Sequence, residues 1–298
     1  MSYQSGFVSI IGRPNVGKST MMNQLVGEKI AIVSDKPQTT RNRIQSVYTE
    51  ENLQIVFLDT PGIHKPKTEL GEYMVKTAKA SLRDMDVILF MVDESDRLGG
   101  GDQYILEELK KIKTPKILLI NKIDKTDQDS VKDIVKQYED MELFESIIPI
   151  SALEGVNLQR VIEEIKEYLP EGPQYFPEGM ITDQPERAII AELVREKVLH
   201  YTEQEIPHGV AVEVVSMKER PNKAILDLEM NIYCERNSHK GIIIGKNGRK
   251  LKGIGKSARE DIEGFLGTKV NLQLWVKVKE GWRNQNTMLR NFGYRDDS

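Results

Sequence analysis

The chain has 298 residues, of which 39% are hydrophobic and 30% are charged, and its formal net charge is −4. This length predicts about two domains, and the apolar content is enough to bury a core in each. The single cysteine, Cys234, excludes an intramolecular disulfide and favours a reducing compartment. Because no apolar run reaches the ~20 residues that span a bilayer and no signal peptide precedes the first motif, we expect a cytoplasmic protein.

The charge is unevenly distributed along the chain. Residues 236–298 hold 14 Lys/Arg and 6 Asp/Glu, a net charge of +8, which leaves −12 for residues 1–235. A basic C-terminal end on an acidic body indicates contact with nucleic acid or another anionic surface. Peripheral contact with the inner face of the cell membrane is compatible with this pattern.

A phosphate-binding loop is predicted at residues 12–20 (GRPNVGKST), between an apolar strand and a helix over about 18–26. The spacing matches GxxxxGK[ST], in which backbone N–H groups curl around an anion. Lys18 would reach the β- and γ-phosphates and the Ser19 hydroxyl would ligate Mg²⁺. The alternative is a glycine turn that binds nothing, which the flanking strand and helix make less favourable.

A second motif, DTPG, ends a predicted strand over 53–58, which is joined to a strand over 44–49. At the carboxyl end of a strand beside the phosphate loop, Asp59 is placed to hold Mg²⁺ through water. The N–H of Gly62 would face a γ-phosphate. A simple turn is the alternative for DTPG alone.

A guanine-reading motif follows two continuous apolar runs, at 87–93 and 116–121, that are typical of parallel strands covered by helices on both faces. In NKID, the Asp124 carboxylate would accept hydrogen bonds from guanine N1–H and N2–H, while Asn121 ties this loop to the phosphate loop. A later strand, 146–150, leads to the turn Ser151-Ala152-Leu153, where the Ala152 N–H would contact guanine O6. Helices are predicted at about 71–81, 102–112 and 129–141.

These four motifs, in this order, resemble the translation-factor-related P-loop GTPases over residues 5–169. The resemblance implies a doubly wound, mostly parallel α/β sheet and a site for GTP or GDP with Mg²⁺. It implies that Thr40, with Thr39 as second choice, senses the γ-phosphate and Mg²⁺. The nucleotide-binding residues that it implies are Gly12, Asn15, Gly17, Lys18, Ser19, Thr20, Asp59, Gly62, Asn121, Lys122, Asp124, Ser151 and Ala152.

Catalysis is expected to depend on Lys18, Thr40, Gly62 and Asn15, with slow intrinsic turnover. Ile63 stands where Ras-like GTPases have a catalytic glutamine, and isoleucine does not orient a water molecule. In relatives with an asparagine in the phosphate loop, that side chain ligates K⁺ in place of an arginine finger, which suggests the same role for Asn15. The alternative is that Asn15 only braces the loop.

A linker is predicted at residues 171–186, within a stretch rich in Pro and Gly, which gives domains at 1–170 and 187–298. After it, the sequence predicts a helix over 187–203, strands over 210–217 and 224–233 joined by a hairpin at 219–223, and a strand over 270–278. Between them lies GKNG at 245–248, in a basic setting that suits close approach of nucleotide phosphates.

This arrangement resembles a KH domain in its αββααβ form (type II, a small α+β fold), which implies binding of single-stranded RNA. The RNA-binding residues expected from the resemblance are Ile242, Ile243, Gly245, Lys246, Asn247, Gly248, Arg249 and Lys250. Ile244 is expected beside them, although aliphatic residues here also build cores. The C-terminal tail, 282–294, offers aromatic and cationic groups that either contact RNA or pack on the KH sheet.

Over essentially its whole length, the chain resembles a family of ribosome-assembly GTPases. The resemblance implies a monomeric, GTP-dependent switch that binds the 3′-end region of 16S rRNA and helps mature the small (30S) ribosomal subunit. Two alternatives are an RNA-binding module whose guanine-nucleotide site is a sensor with negligible turnover, and a P-loop small-molecule kinase. The NKID motif argues against the kinase.

Overall fold

The computed structural model describes residues 2–36, 38–63, 66–95, 98–221 and 223–294. Four residues named in the predictions lie outside the described residues: Pro37 in the PQTTRNR loop and His64 and Lys65 in the DTPGIHK loop, two loops that the resemblance implies are ordered by GTP, and Asn222 in the predicted hairpin turn. The chain forms two compact units. The first contains Met1–Ala31, Thr40–Pro66 and Met74–Asp183, and the second contains Ile32–Thr39, Lys67–Tyr73 and Gln184–Ser298.

The first unit is built on a six-stranded sheet with the order β2-β3-β1-β4-β5-β6, in which only the β2–β3 pair is antiparallel. The strands are β1 (Gln4–Gly12), β2 (Ile44–Glu50), β3 (Leu53–Asp59), β4 (Val87–Val92), β5 (Lys116–Ile120) and β6 (Ser146–Pro149). The helices between and after them are α1 (Lys18–Val26), α2 (Glu69–Ala80, of which only residues 74–80 belong to this unit), α3 (Gly100–Leu109), α4 (Gln128–Glu139) and α5 (Leu158–Lys166).

Both faces of this sheet are covered, which confirms the doubly wound fold. One core joins Ile10 of β1 and Leu119 of β5 to α1 and α5, and the other joins Phe90 of β4 to α3 and α4. Every residue of β3, β4 and β5 is buried, and β4 and residues 117–120 of β5 are accordingly continuous apolar runs rather than alternating ones. Parallel pairing brings the carboxyl ends of β1, β3, β4 and β5 to one edge, where the motifs lie.

The predicted linker packs on the first unit up to Asp183. The Gln54 side chain accepts hydrogen bonds from the backbone N–H groups of Tyr175 and Phe176, at 2.8 and 2.9 Å. Farther along, the Val47 N–H donates to the Ile181 carbonyl across 2.9 Å. The segment therefore covers the outer edge of β2, an edge strand that would otherwise present unpaired backbone groups.

The second unit has a three-stranded sheet with the order β7-β8-β9, in which β7–β8 is antiparallel and β8–β9 is parallel. The chain order is α6 (Glu186–Tyr201), β7 (Ala211–Glu219), β8 (Ile225–Cys234), α7 (Asn237–Ile244), α8 (Arg249–Leu266) and β9 (Lys269–Val278), followed by the short α9 (Asn286–Asn291). This is the expected αββααβ arrangement. Within this unit, the N–H of Val33 donates to Glu196 Oε1 of α6 across 2.9 Å.

One apolar core holds the second unit together. It joins Ile190 and Val194 of α6, Ile254 and Ile262 of α8, and Leu228 of β8. Cys234 is a buried member of the same core and is not part of a disulfide. In the part of the chain that the structure describes, no helix combines the length and the apolar character needed to cross a bilayer.

Candidate nucleotide site and nucleic-acid groove

The phosphate loop connects β1 to α1 and has the curled backbone that an anion site needs. Gly17 has φ of +109°, and a Cβ there would lie 2.1 Å from Asn121 Nδ2, so only glycine fits. The exposed Asn15 has φ of +66°, a left-handed conformation that asparagine tolerates. Thr20 is partly buried in the first turn of α1. The loop therefore has the geometry predicted from its sequence.

Lys18 turns its amine back onto the phosphate loop. Nζ donates to the carbonyls of Gly12 and Arg13, at 3.2 and 2.8 Å, and the residue is 6% exposed. Burial lowers the pKa of Lys18 to about 8, against which the nearby Asp59 carboxylate acts. An anionic phosphate beside this amine would restore its preference for the charged form.

Three oxygen-bearing side chains converge at the start of α1. Ser19 Oγ lies 2.6 Å from Asp59 Oδ2 and 3.0 Å from Thr40 Oγ1. Asp59 is fully buried, burial raises the pKa of its carboxyl, and its Oδ1 has no hydrogen-bond partner among the described residues. An orphaned buried carboxylate oxygen beside two hydroxyls fits Mg²⁺, which prefers oxygen ligands.

The two adjacent threonines differ in their surroundings. Thr40 Oγ1 faces Ser19, whereas Thr39 Oγ1 donates to the Lys36 carbonyl across 2.6 Å. The hydroxyl of Thr39 is therefore used within its own turn, and only that of Thr40 lies with the other two oxygens. This geometry favours Thr40 as the ligand.

The DTPG loop returns to the phosphate loop. A Cβ on Gly62 would lie 2.6 Å from the Pro14 nitrogen, so glycine permits this close approach. The next residue, Ile63, is 2% exposed, and its N–H donates to the Gly12 carbonyl across 3.4 Å. Its side chain belongs to the core, so it has no part in orienting water.

The guanine loop is fastened to the phosphate loop through Asn121. Its Nδ2 donates to the Val16 carbonyl across 2.7 Å, as expected, and its Oδ1 accepts the Ala152 N–H across 2.8 Å. Asp124 Oδ1 accepts the Ser151 hydroxyl across 2.6 Å, which orients the carboxylate. A contact between the Ala152 N–H and guanine O6 stays a prediction, and it requires the N–H to be shared with Asn121.

In the second unit, the GKNG segment forms a tight turn between α7 and α8. Gly245 and Gly248 both have left-handed φ, +71° and +73°, and Asn247 has φ of +52°. Lys246, Asn247 and Arg249 are exposed and Lys250 is partly exposed. The turn thus presents backbone and cationic side chains to solvent beside the N-terminus of α8.

A groove of about 790 Å³ runs from this turn between α8 and β9. Its cationic side consists of Arg249, Lys252, Lys256 and Arg259, spaced along one face of α8, and its apolar lining consists of Val270, Leu272 and Leu274 of β9. Lys252, Lys256 and Arg259 are absent from the residues expected from the sequence. The i, i+3, i+7, i+10 spacing from Arg249 was the signal that could have identified them.

The structure gives no support to one expected RNA contact, that of Ile243. The Ile243 side chain is 0% exposed within the core of the second unit, because α7 packs this face on the sheet. Ile242 is 46% exposed and remains available, while Ile244 is partly buried against the core. A run of three isoleucines on a helix cannot present all its side chains to one ligand.

The C-terminal tail takes the packing alternative for its aromatic residues. Trp282 is fully buried, and its Nε1–H donates to the Gly209 carbonyl across 2.9 Å. Its ring contacts those of Phe292 and Tyr294, and Phe292 also contacts Tyr233 of β8. Trp282 and Tyr294 are therefore buried in the unit, and the partly buried Phe292 packs on Trp282 and on Tyr233 rather than standing free for stacking.

Known proteins match this chain both in the region of the nucleotide site and in the region of the nucleic-acid groove. Residues 7–122 match the family described as 50S ribosome-binding GTPase, and residues 205–283 match the KH domain family. The chain is 66% identical to GTPase Era of Alkaliphilus metalliredigens, over 99% of this chain and 100% of the relative. It is 65% identical to GTPase Era of Clostridioides difficile, over 99% of both.

Two solved structures share the fold over nearly the whole chain. One is a single-residue variant of Aquifex aeolicus Era bound to GDP·AlF₄⁻, with 43% identity, a TM-score of 0.94, and coverage of 98% of this chain and 100% of the other. The second is Era in complex with MgGDPNP and nucleotides 1506–1542 of 16S ribosomal RNA, with 44% identity, a TM-score of 0.95, and coverage of 99% and 100%.

Proposed function

The chain belongs to the GTPase Era family, and from this premise we propose that it is a GTP-controlled switch that binds the 3′-end region of 16S rRNA and assists small-subunit assembly. Membership makes it a GTPase, which decides against a sensor site with negligible turnover. The observation that carries the proposal is the presence, on one chain, of a phosphate loop with a guanine loop and of a KH groove lined by four cations.

In the nucleotide site, each group has a defined task. Lys18 and the backbone of the phosphate loop hold the β- and γ-phosphates, and the Gly62 N–H faces the γ-phosphate. Ser19, Thr40 and, through water, Asp59 hold Mg²⁺, which neutralises charge on the phosphate oxygens. Asp124, oriented by Ser151, accepts from the guanine ring, and Lys122 borders the base.

Hydrolysis on this chain has to proceed without a side chain that orients water at position 63. We propose that Asn15 ligates K⁺ at the phosphate loop, which would stabilise the charge that develops in the transition state. Its support is the exposed, left-handed Asn15 in the phosphate loop and the burial of the Ile63 side chain in an apolar core, where it does not orient water.

The test compares GTP turnover in KCl with turnover in NaCl at equal ionic strength. We expect at least about tenfold faster hydrolysis in K⁺, since loss of one charge-stabilising group costs about that much or more. Asn15→Ala should remove the difference while it leaves GDP affinity nearly unchanged. Equal rates in both salts would contradict the role of K⁺ without affecting the nucleotide site.

In the second unit, the groove between α8 and β9 would hold single-stranded RNA. Arg249, Lys252, Lys256 and Arg259 would neutralise phosphates, while the backbone at 245–248 approaches the strand closely. GTP would order the loops that contain Thr40 and Gly62 and favour the RNA-binding state, and hydrolysis would release the RNA.

The decisive experiment measures the affinity of the full chain for an RNA of 16S nucleotides 1506–1542 with MgGDPNP, with MgGDP and without nucleotide. We expect at least about tenfold tighter binding with MgGDPNP, a coupling of ordinary size for a switch. Competition with excess ATP, which should not displace GTP, tests the guanine preference in the same preparation. An RNA affinity that is identical in the three states would contradict the switch.

We further propose that the protein acts as a cytoplasmic monomer; its single, buried cysteine, which has no intramolecular disulfide partner, suits a reducing compartment. Peripheral membrane contact stays a prediction. Flotation with anionic lipid vesicles, with and without the competing RNA, would test it.

A further inference from the structure

Arg13, the second residue of the phosphate loop, is held by two carboxylates. Its Nε lies 2.7 Å from Asp102 Oδ2 and 2.8 Å from Oδ1, and its Nη2 lies 3.0 Å from Asp93 Oδ1. The Asp102 side chain is 2% exposed, that of Asp93 is 16% exposed, and that of Arg13 is 28% exposed. A guanidinium that bridges two shielded carboxylates is more rigidly held than a surface pair.

The fold brings the two carboxylates to Arg13 from different elements. Asp93 directly follows β4, and Asp102 lies in the first turn of α3. A Cβ on Gly101 would lie 2.9 Å from Arg13 Cδ, so the glycine leaves room for the arginine stem. The three glycines at 99–101 belong to none of the motifs, and the absence of a side chain at Gly101 allows the Arg13 side chain to pack against the start of α3.

Asp93 also approaches the guanine loop. Its Oδ2 lies 3.8 Å from the Nζ of Lys122, which directly follows Asn121. The phosphate loop and the guanine loop thus share one carboxylate, in addition to the direct bond from Asn121 to Val16. Two cations and two carboxylates balance one another at this point.

Arg13 is also linked to the phosphate-binding lysine, because its carbonyl accepts a hydrogen bond from Lys18 Nζ. We propose that Asp93 and Asp102 are positioning residues that act through Arg13 to hold the phosphate loop in register with the guanine loop. Neither carboxylate belongs to the motifs that hold the nucleotide. The proposal rests on the proposed function in that its ligand is a guanine nucleotide.

The experiment measures the affinity and dissociation rate of a fluorescent GDP analogue and of GDPNP on the full chain. Asp102→Asn and Arg13→Gln should each weaken binding about tenfold, the scale of one charge-assisted hydrogen bond. The loss of affinity should be the same for both ligands within twofold, because the contacts of Arg13 with Asp93 and Asp102 position the whole nucleotide site. The Arg13→Gln/Asp102→Asn double variant should be no more than twofold worse than either single variant.

Asp93→Asn should weaken binding more than Asp102→Asn does, since it also removes the partner of Lys122. The matched control is Glu107→Gln, which removes an exposed ion pair with Lys110 on the same helix α3 and should leave both affinities unchanged. Urea unfolding without nucleotide reports how much of each loss is global destabilisation. Arg13→Lys, which keeps the charge but not the two-sided geometry, gives an intermediate loss and serves if Arg13→Gln does not fold.

Four results would overturn the proposal: affinities within twofold of wild type in the folded variants, losses confined to GDPNP, losses that multiply in the double variant, or a smaller effect of Asp93→Asn than of Asp102→Asn. Wild-type protein that fails to bind GDP would instead overturn the proposed function. The two failures are therefore distinguishable in one set of measurements.

Discussion

At the scale of single residues, Thr39 and Thr40 show how neighbouring identical side chains acquire different roles. One hydroxyl closes a turn with Lys36, and the other lies 3.0 Å from Ser19 Oγ beside a buried carboxylate. The sequence could rank Thr40 above Thr39 only by its place in a family pattern. The distinction is physical, because a hydroxyl committed to a backbone carbonyl has less capacity to ligate a metal ion.

Thr40→Ala should slow single-turnover GTP hydrolysis at least about tenfold and raise the Mg²⁺ concentration required, because one oxygen ligand is lost. Thr39→Ala, the matched control, removes one hydrogen bond, worth about 1 kcal/mol of stability, and should leave turnover within about threefold of wild type. Phosphate release over a Mg²⁺ titration measures both. A larger effect of Thr39→Ala would reassign the ligand.

Motif residues were the easiest to predict, since Lys18, Ser19, Asp59 and Asn121 all converge at the carboxyl edge of the sheet. The residues that hold the phosphate loop from outside these motifs could not be predicted in the same way. Asp93 and Asp102 lie 80 and 89 positions from Arg13, and only the order of the strands brings them together. The burial of Ile243 could not be predicted for a related reason: the sequence shows that this residue is apolar but not which side of α7 packs on the sheet.

At the scale of elements, the segment 172–182, called the strap below, is held in place by hydrogen bonds to side chains and backbone of the first unit. Besides Gln54, it is held by Thr182, whose Oγ1 donates to the Gln45 carbonyl across 2.6 Å, and by Ser5, whose Oγ donates to the Pro173 carbonyl across 2.7 Å. Proline and glycine composition predicts an irregular backbone, which is correct. It does not predict mobility, because side chains far away in sequence bind that backbone.

Gln54→Ala should release the strap. Gln54 is fully buried, and its loss leaves the N–H groups of Tyr175 and Phe176 without their acceptor, at a cost of about 1–3 kcal/mol. We expect faster proteolysis within 172–182 and a lower free energy of unfolding. Thr182→Val, which removes the hydrogen bond from Oγ1 to the Gln45 carbonyl at the end of the segment, should have a smaller effect. Equal cleavage in all three proteins would show that Gln54 does not hold the segment.

Helices and strands with a strong hydrophobic periodicity were predicted well, whereas short elements, in which few residues define a period, were predicted poorly. Helix α3 starts at Gly100 and not at the predicted Asp102. The glycines before Asp102 suggest a loop in the sequence, but in the structure they leave room for the Arg13 side chain. Helix α5 was not identified, although four of its residues pack into the core of the first unit. The groove between α8 and β9 depends on which faces meet, and that information is tertiary.

At the scale of the whole molecule, the sequence separates charge between an acidic body and a basic end, and the two ligands should respond differently to salt. Four cations line the groove, so neutralising about four phosphates of single-stranded RNA predicts a slope of log K against log[salt] near −3. Affinity for RNA should then fall roughly fiftyfold between 50 and 200 mM salt. GDP affinity should change far less with salt concentration, because the nucleotide is held by short-range contacts, many of them to the backbone of the phosphate loop.

Lys256→Gln with Arg259→Gln should reduce the magnitude of that slope by about 1.4. Lys277→Gln is the matched control, because strand alternation places Lys277 on the face of β9 opposite to Val270, Leu272 and Leu274. Fluorescence anisotropy with the 16S fragment over a salt series measures both. Equal slopes in the three proteins would show that these two side chains do not meet phosphates.

The burial of Trp282 has a practical consequence for anyone who follows unfolding optically. The chain's two tryptophans, Trp275 and Trp282, both lie in the second unit, one 44% exposed and the other sealed among aromatic rings. Tryptophan emission, excited selectively over tyrosine, therefore monitors melting of that unit, and acrylamide should quench one indole while sparing its neighbour. Denaturation of the opposite half must be followed by circular dichroism or by release of bound nucleotide, since the two halves need not melt together.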